Sequence, residues 1–231
     1  MSFETVLFSK GDDGIARVSL NRPKVRNAFS QQMQDELREV WRDIRYDNNV
    51  RCVILSAEGD HFCTGIDRAE AMSEENTDAM ARGEYPGYPT PWMYDDPGRD
   101  IGTHVTHGMT AAFEPMQLLK KMPFQEVMRM MLLGSHERMS AKRAYEIGLV
   151  SEVCPRDELT DRVEWAAGVI AGAPALAIQG TMRALWTGLE VSRSQAIELA
   201  NLYTRIGNDA AAFKEAQTAF ESGKRPEWRI R

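Results

Sequence analysis

The sequence predicts an α/β fold in which a parallel β-sheet is followed by a helical C-terminal region. Two β-prone runs, residues 4–8 and 15–20, flank a turn-forming cluster at residues 11–14, which indicates a β-hairpin. An amphipathic helix and an apolar run at residues 51–56 follow. Strand, helix and strand in that order form a βαβ unit, and such units build parallel sheets. From residue 157 onward the patterns are all helical.

The helix after the hairpin has both a start signal and an apolar face. Ser30 is a suitable N-cap, because a serine hydroxyl can accept a hydrogen bond from a backbone N–H of the first turn. Apolar residues then recur at helical spacing: Met33, Leu37, Val40, Trp41 and Ile44. The unbroken apolar centre of residues 51–56 predicts a buried strand.

A proline-rich stretch separates these elements from the helical part of the chain. Residues 85–102 contain four prolines and three glycines with aromatic residues between them, so no regular element is predicted there. Such a stretch is a functional lid or a disordered segment, and its aromatic residues favour a lid. Beyond it we expect one short strand at 149–153 and helices over residues 113–122, 124–133, 140–147, 157–172, 174–189, 192–206 and 209–221.

Composition excludes several classes of protein. The chain has 231 residues and a net charge of -6, which argues against a protein whose main partner is nucleic acid, because phosphate binders present basic surfaces. No apolar run is long enough for a membrane span, and the first residues lack signal-peptide features, so we expect a cytoplasmic protein without a membrane partner. Cys52, Cys63 and Cys154 form no C-x-x-C pair, which predicts buried thiols instead of disulfides or a zinc site.

The loop after the apolar strand is the first candidate for a functional site. Residues 59–70 leave the carboxyl end of a strand before a helix, which is where α/β proteins bind ligands. Gly65 permits a tight turn, after which the backbone N–H of Ile66 can face an anion. Taken alone, the fragment is better explained as an ordinary strand-to-helix turn.

Four motifs occur in a fixed order along the chain. They are L-N-R-P with N-A at residues 20–28, F-C-T-G-I-D at 62–67, S-A to G-L-V at 140–150, and A-F to K-R-P with a tryptophan at 219–228. Together they resemble the crotonase (enoyl-CoA hydratase/isomerase) superfamily. The resemblance implies a crotonase-like spiral of ββα units over residues 1–156 and a C-terminal helical trimerisation region over residues 157–231. It also implies an acyl-CoA thioester as substrate, no cofactor beyond the coenzyme A of that substrate, and homo-oligomers that are trimers or hexamers.

The resemblance also assigns roles to individual residues. In this superfamily two backbone N–H groups hold the thioester oxygen as it becomes an enolate, and the first donor corresponds to Ile66. The CoA moiety is placed near a set of residues in the two matching loops: Arg22, Val25, Arg26, Cys63, Gly65, Asp67 and Arg68. Lys224 and Arg225 are candidates for binding the CoA phosphates, with solvated surface charge as the alternative.

The sequence departs from the superfamily near residues 102–103. The glycine-rich turn that normally supplies the second donor, and that opens a helix with the first catalytic glutamate, is not in the sequence. Residues 100–102 run directly into a segment that resembles a later part of the family pattern. A βαβ unit needs about 30 residues, so at least one unit is missing at this point. Either the natural protein contains a segment that this sequence omits, or the deletion is genuine.

A second departure is chemical, because His104 occupies the position of the family's second catalytic glutamate. Hydration of an enoyl thioester requires two positioned proton-transfer groups, and an imidazole with an unperturbed pKa of about 6.5 can supply one. His107 lies three residues away, but a metal site needs a third ligand, and we expect none. Glu114 is the nearest alternative acid, although a carboxylate at a helix start needs no catalytic role.

These observations predict an acyl-CoA-binding enzyme of the enoyl-CoA hydratase/isomerase type that stabilises a thioester enolate in an oxyanion hole. One alternative is a crotonase homologue that binds CoA thioesters but lacks hydratase activity or catalyses another enolate reaction. A second alternative is a helical oligomerisation module on an inactive scaffold, which a genuine loss of the central unit would favour.

Overall fold

The computed structural model describes residues 3–71, 73, 78, 113–207 and 210–223. The chain forms two compact units, of which the first comprises Met1–Gly11 and Ala16–Val153 and the second comprises Asp12–Ile15 and Cys154–Arg231. The stretch predicted to be a lid, residues 85–102, lies outside the described residues.

The predicted β-hairpin opens the chain. Strand β1 (Val6–Lys10) and strand β2 (Ile15–Leu20) pair in antiparallel register, with Val6 opposite Leu20. Gly14 has a φ of 77° in the connecting turn, a value that glycine adopts without steric cost.

The βαβ unit predicted after the hairpin is also present. Its next elements are helix α1 (Gln31–Tyr46) and strand β3 (Cys52–Ala57). The strand order is β1-β2-β3. The Ser56 hydroxyl donates to the Val18 carbonyl at 3.5 Å, and the Glu58 N–H donates to the Leu20 carbonyl at 2.8 Å. From the first contact to the second, the residue number rises by two on each strand, from 18 to 20 and from 56 to 58. Strand β3 therefore runs parallel to β2.

Helix α1 begins where the sequence predicts, because the Ser30 hydroxyl accepts the Met33 N–H at 3.2 Å. Its inward face packs on the hairpin in one apolar core: Val6, Val18, Leu20, Phe29, Met33, Leu37 and Val40. Full burial of a side chain of this size contributes about 1.5–3 kcal/mol. This core gives a rigid support to the loops that leave β2 and β3.

Strand β3 is more exposed than the sequence predicts. Leu55 is 36% exposed, and Cys52, Val53 and Ile54 are only half-buried. The prediction of a buried strand is therefore wrong for the part of the chain that the structure describes, where β3 is the last strand in the sheet order. The three cysteines are free thiols, as predicted, but all are half-buried instead of buried. Partial burial raises the pKa of the Cys52 thiol.

Most of the predicted helices are present with small changes in their ends. The first unit contains α2 (Arg68–Ala71), α3 (Phe113–Leu118), α4 (Phe124–Leu133) and α5 (Ala141–Glu146). The second unit contains α6 (Leu159–Gly172), α7 (Ala175–Glu190), α8 (Arg193–Thr204) and α9 (Ala210–Glu221). Helix α3 ends before the predicted residue 122, and the chain then turns so that Met122 packs with Leu118 against α4.

The strand predicted at residues 149–153 is not formed. The N–H groups of Leu149 and Val150 both donate to the Ala144 carbonyl, at 2.8 and 3.3 Å. These bonds fold the chain back on the end of α5, which is a turn and not an extended conformation. Leu149 packs against the apolar cluster of α3 and α4, so burial in this cluster explains its apolar character.

In the second unit, α7 and α8 approach each other closely. A Cβ at Gly180 would lie 2.9 Å from the Tyr203 carbonyl oxygen, so glycine permits this distance. The hydroxyls of Thr187 and Tyr203 are hydrogen-bonded at 2.9 Å. Helix α8 begins with a capping box formed by Ser192 and Gln195.

The second unit keeps many large apolar side chains exposed, among them Val169, Leu185, Leu189, Leu202, Phe213 and Phe220. None of the described helices is by itself long and apolar enough to cross a membrane. One pair of helical segments has the length and composition of a membrane span when the two are taken together: Arg156–Gly172 and Ala175–Glu190. The pair is bent by 109°.

Glu36 on α1 holds the chain segment that enters β1. Its carboxylate accepts the Glu4 N–H at 3.1 Å, the Thr5 N–H at 2.9 Å and the Thr5 hydroxyl at 2.6 Å. Burial alone would raise the pKa of Glu36, but the hydrogen bonds from Thr5, Glu4 and Gln32 outweigh it, so the pKa is lowered.

We expect Glu36→Gln to lower the free energy of unfolding by about 1–2 kcal/mol, because it removes charge-assisted hydrogen bonds. A carboxyl whose pKa is depressed in the native state contributes stability above its unfolded-state pKa and loses it as the pH falls through the native value. The difference between wild type and variant, measured by urea unfolding, should therefore shrink on acidification. Glu39→Gln, on the exposed face of the same helix, is the control; an equal effect there would contradict the assignment.

Candidate active site

One buried side chain, Asn27, joins the loop after β2 to the loop after β3. Asn27 is 0% exposed. Its Oδ1 accepts the Arg22 N–H at 2.7 Å, and its Nδ2 donates to the carbonyls of Glu58 at 2.8 Å and His61 at 2.7 Å. The amide thus satisfies polar backbone groups of both loops at once.

The backbone at this junction adopts conformations that few residues tolerate. After a short 3₁₀ turn at Pro23–Val25, Arg26 and Asn27 have φ values of 53° and 56°. Asparagine is enriched in this left-handed region because its short polar side chain bonds locally. On the facing loop, Gly59 has a φ of 81°, and a Cβ there would lie 2.9 Å from the Pro23 Cβ. Glycine is therefore required where the loops touch.

A parallel bridge connects the ends of the two loops. The Phe29 N–H donates to the Gly65 carbonyl at 2.8 Å, and the Asp67 N–H donates to the Phe29 carbonyl at 2.9 Å. In this pattern Ile66 lies opposite Phe29, but its own N–H and C=O face away from Phe29. Because a trans peptide is planar, holding the Gly65 carbonyl toward Phe29 directs the Ile66 N–H to the opposite side.

The Ile66 N–H is a candidate donor to a bound molecule. Among the residues that the structure describes, none accepts a hydrogen bond from it. Ile66 is 37% exposed as a residue, whereas Gly65 is buried with a φ of 88°. A fixed, accessible peptide N–H is the type of group that stabilises an oxyanion.

Other side chains of the two loops bind the backbone around this peptide. Arg22 Nη1 donates to the Ala28 carbonyl at 2.6 Å and lies 2.9 Å from Asp67 Oδ2. The Cys63 thiol accepts the Gly65 N–H at 3.4 Å. The Thr64 hydroxyl donates to the Arg26 carbonyl at 3.3 Å.

The structure thus brings together the residues predicted from the two loop motifs: Ile66, Arg22, Val25, Arg26, Cys63, Gly65, Asp67 and Arg68. Val25, Arg26 and Arg68 are exposed, and Cys63 is half-buried. His104, Lys224 and Arg225 lie outside the described residues. Glu114 falls within α3, but its side chain is also outside the described part of the chain. In the described ranges, no group of three or more potential ligands is arranged to hold a metal ion.

Sequence reasoning missed two residues that shape this site. Asn27 stands in the first motif, and an asparagine a few residues after a proline is a sequence signal that could have identified it, because asparagine tolerates the left-handed backbone found here. Phe29 has no such signal, because it contributes its backbone to the bridge while its side chain joins the core.

An α/β fold with an oriented peptide N–H at the end of a strand loop is an arrangement that can stabilise negative charge on a bound oxygen atom. The model of the enoyl-CoA hydratase/isomerase family matches residues 10–88 and 101–231. The chain belongs to this family.

Individual relatives agree with this assignment. The chain is 28% identical to (E)-benzylidenesuccinyl-CoA hydratase from Thauera aromatica, with 93% of this chain and 95% of that protein covered. It is 25% identical to enoyl-CoA hydratase EchA19 from Mycobacterium tuberculosis, with 93% and 92% covered. The crystal structure of an enoyl-CoA hydratase/isomerase from Mycobacterium paratuberculosis superposes with a TM-score of 0.78 at 30% identity and covers all of both chains. The predicted crotonase-like fold is therefore confirmed.

The alignments also show that relatives contain residues with no counterpart in this chain. The alignment to the Thauera protein extends over 248 residues, which exceeds the 231 residues present here. Conversely, residues 89–100 of this chain have no match in the family model.

We expect Asn27→Asp to lower the free energy of unfolding by about 2–4 kcal/mol at neutral pH, because a carboxylate cannot donate to the Glu58 and His61 carbonyls. Asn21→Asp is the matched control, since within the described residues the Asn21 side chain makes one long hydrogen bond, from Nδ2 to the Glu4 carbonyl at 3.5 Å. Urea unfolding measures both variants. The loss at position 27 should diminish on acidification, because a protonated acid regains a donor; equal losses at both positions would argue against the buried anchor.

Proposed function

We propose that this protein acts on an acyl-CoA thioester and stabilises its enolate with the Ile66 N–H as one donor of an oxyanion hole. The observation that supports this most strongly is the direction of the Gly65–Ile66 peptide, whose carbonyl is held by Phe29 while its N–H faces away. Family membership supplies the thioester as the substrate class.

Hydration and isomerisation, the two reactions in the family's name, both place negative charge on the thioester oxygen, so one oriented donor can serve both. In hydration, water adds to one alkene carbon and charge moves onto the thioester oxygen. In isomerisation, loss of a proton beside the carbonyl places charge on the same oxygen. A donor fixed before the reaction stabilises that charge without reorganising, and loss of one typically costs about 10²–10³ in rate.

For the proton transfers we propose His104 first and Glu114 as the alternative acid. Both assignments come from the family motif and the sequence, and neither changes the role of Ile66. A second backbone donor completes the hole in the family pattern. No cofactor beyond the CoA of the substrate is required by this chemistry.

We propose that the CoA moiety lies along the same two loops. Val25, Arg26 and Arg68 are exposed there and are free to contact it directly, and Lys224 and Arg225 are proposed ligands of its phosphates. The remaining predicted residues, Arg22, Cys63, Gly65 and Asp67, have polar atoms bound within the loops and form their framework.

We also propose a spiral domain over residues 1–156 and a helical region over residues 157–231, with a central segment of at least one unit absent near residues 102–103. The length of the alignment to the Thauera protein supports a missing segment. The exposed apolar side chains of α6–α9 support a homo-oligomer, a trimer or hexamer, because extensive apolar surface marks subunit contacts. We expect the protein to act in the cytoplasm.

Calorimetric titration with acetyl-CoA and crotonyl-CoA tests the substrate class. Both thioesters should bind, and cinnamoyl-CoA is a useful third ligand because the Thauera relative is named for an aryl-substituted acyl-CoA. Free CoA is the control for the contribution of the thioester. Failure of all thioesters to bind folded protein at millimolar concentration would overturn the proposal.

We expect Ile66→Pro to lower kcat for crotonyl-CoA or cinnamoyl-CoA about 10²–10³-fold, because proline has no N–H to donate. Ile66→Ala retains the N–H and should keep kcat within a few-fold. Thermal unfolding of both variants checks that the loop is folded. Equal losses of kcat in the two variants would show that the side chain, and not the N–H, is responsible.

We expect His104→Ala to lower kcat about 10²–10⁴-fold with little change in KM, which is the usual contribution of a positioned acid or base. His107→Ala is the matched control. His104→Glu should gain crotonyl-CoA hydration if the rest of the site is complete. A His104→Ala variant that keeps its kcat and changes only KM would assign His104 to binding.

A further inference from the structure

Arg22 and Asp67 occupy a particular place relative to the Ile66 peptide. Arg22 Nη1 contacts the carbonyl of Ala28, the residue before Phe29, at 2.6 Å. The same nitrogen lies 2.9 Å from Oδ2 of Asp67, the residue after Ile66. One guanidinium nitrogen therefore joins the two chain segments that form the parallel bridge.

We infer that Arg22 and Asp67 are positioning residues that fix the direction of the Ile66 N–H. This inference rests on the proposed function, because the N–H needs a fixed direction only if it serves as an oxyanion donor. Phe29 makes its two bridge hydrogen bonds with the residues before and after Ile66. The Arg22–Asp67 ion pair and the bond from Arg22 to the Ala28 carbonyl add a second connection between the same two segments, which closes a ring. Rotation of the Gly65–Ile66 peptide would require the ring to open.

The surroundings of the pair favour a structural constraint over a loose surface contact. The side chains of Arg22 and Asp67 are only 24% and 16% exposed, so solvent screens them less than a surface pair. The Arg22 backbone is itself held, because its N–H donates to Asn27 Oδ1 at 2.7 Å and its carbonyl accepts the Asn27 N–H at 2.9 Å. The backbone that carries the Arg22 side chain is therefore held in place by hydrogen bonds.

A direct role of Arg22 in binding CoA phosphate is the competing explanation, because a guanidinium has five N–H donors and only Nη1 makes these contacts. The two roles predict different kinetics. A phosphate ligand contributes equally to ground state and transition state, so its loss raises KM. A positioning residue affects the stabilisation of the developing enolate, so its loss lowers kcat.

The test uses Arg22→Met, Arg22→Lys and Asp67→Asn in the full chain, with Arg129→Met as the matched control. Arg129 on α4 forms a more exposed ion pair with Glu137, which lies beyond the end of that helix. Three quantities are measured: kcat and KM with crotonyl-CoA or cinnamoyl-CoA, the red shift of cinnamoyl-CoA absorption on binding, and hydrogen exchange of the Phe29 and Asp67 amides. The red shift reports polarisation of the thioester carbonyl by the donor.

We expect Arg22→Met to lower kcat about 10–100-fold with KM within about threefold, since a small misplacement of a catalytic group costs up to about 10². The red shift should decrease, and the Phe29 and Asp67 amides should exchange faster. Arg22→Lys should recover part of the loss, because it keeps the charge without the fork of donors. Arg129→Met should leave every readout unchanged.

A tenfold rise in KM with unchanged kcat, red shift and exchange would overturn the inference and assign Arg22 to CoA. Unchanged values of all readouts would also overturn it. If wild type binds no thioester, the proposed function fails, and amide exchange then decides the positioning claim by itself: faster exchange in Arg22→Met and Asp67→Asn supports it, and unchanged exchange rejects it.

Discussion

The structure around the site depends on the burial of one amide, Asn27, between two loops. Each loop exposes backbone groups that would be costly to bury without partners, at about 1–3 kcal/mol for each unsatisfied group. The Asn27 side chain satisfies three of them in a single position, which no apolar residue of the same size can do. Once these loops are joined, Phe29 can reach Gly65, and the peptide that follows has only one orientation. The direction of the Ile66 N–H is thus a consequence of a contact made 39 positions earlier in the chain.

The site lies on a support that is stronger than the site itself. The hairpin and α1 bury a continuous apolar core, and Glu36 fixes the segment that enters β1. The loops above it contribute mainly hydrogen bonds, whose net value is about 1 kcal/mol each. The apolar core therefore provides most of the stability of this unit, and the polar contacts of the loops set the geometry of the candidate site. Damage to the core or to Asn27 is expected to lower the stability of the unit, whereas loss of the Arg22–Asp67 pair is expected mainly to misdirect a single N–H.

Sequence periodicity was sufficient for elements stabilised by local signals. The Ser30 cap, the face of α1 and the ends of α4 follow from residue spacing, and the hairpin follows from its turn. Two predictions failed because burial depends on neighbours distant in sequence: β3 is half-exposed, and the chain turns at Leu149 and Val150, where Leu149 packs on α3 and α4. The motif resemblance predicts Ile66 as a donor, but no residue pattern gives the direction of its N–H, which depends on backbone bonds to Phe29. The partners of Arg22 could not be predicted either. The sequence around an arginine does not show whether its side chain binds a substrate or makes contacts within the protein.

The proposed donor is a main-chain group, and this has a consequence for how such a site can diversify. Any residue except proline carries the same N–H, so position 66 can exchange its side chain while the hydrogen bond remains. Ile66 is partly exposed. Under the proposed function, substitutions at this position would change the surface offered to an acyl group and leave the N–H in place. A lineage can in this way explore new substrates at a position where the chemistry itself is protected from mutation.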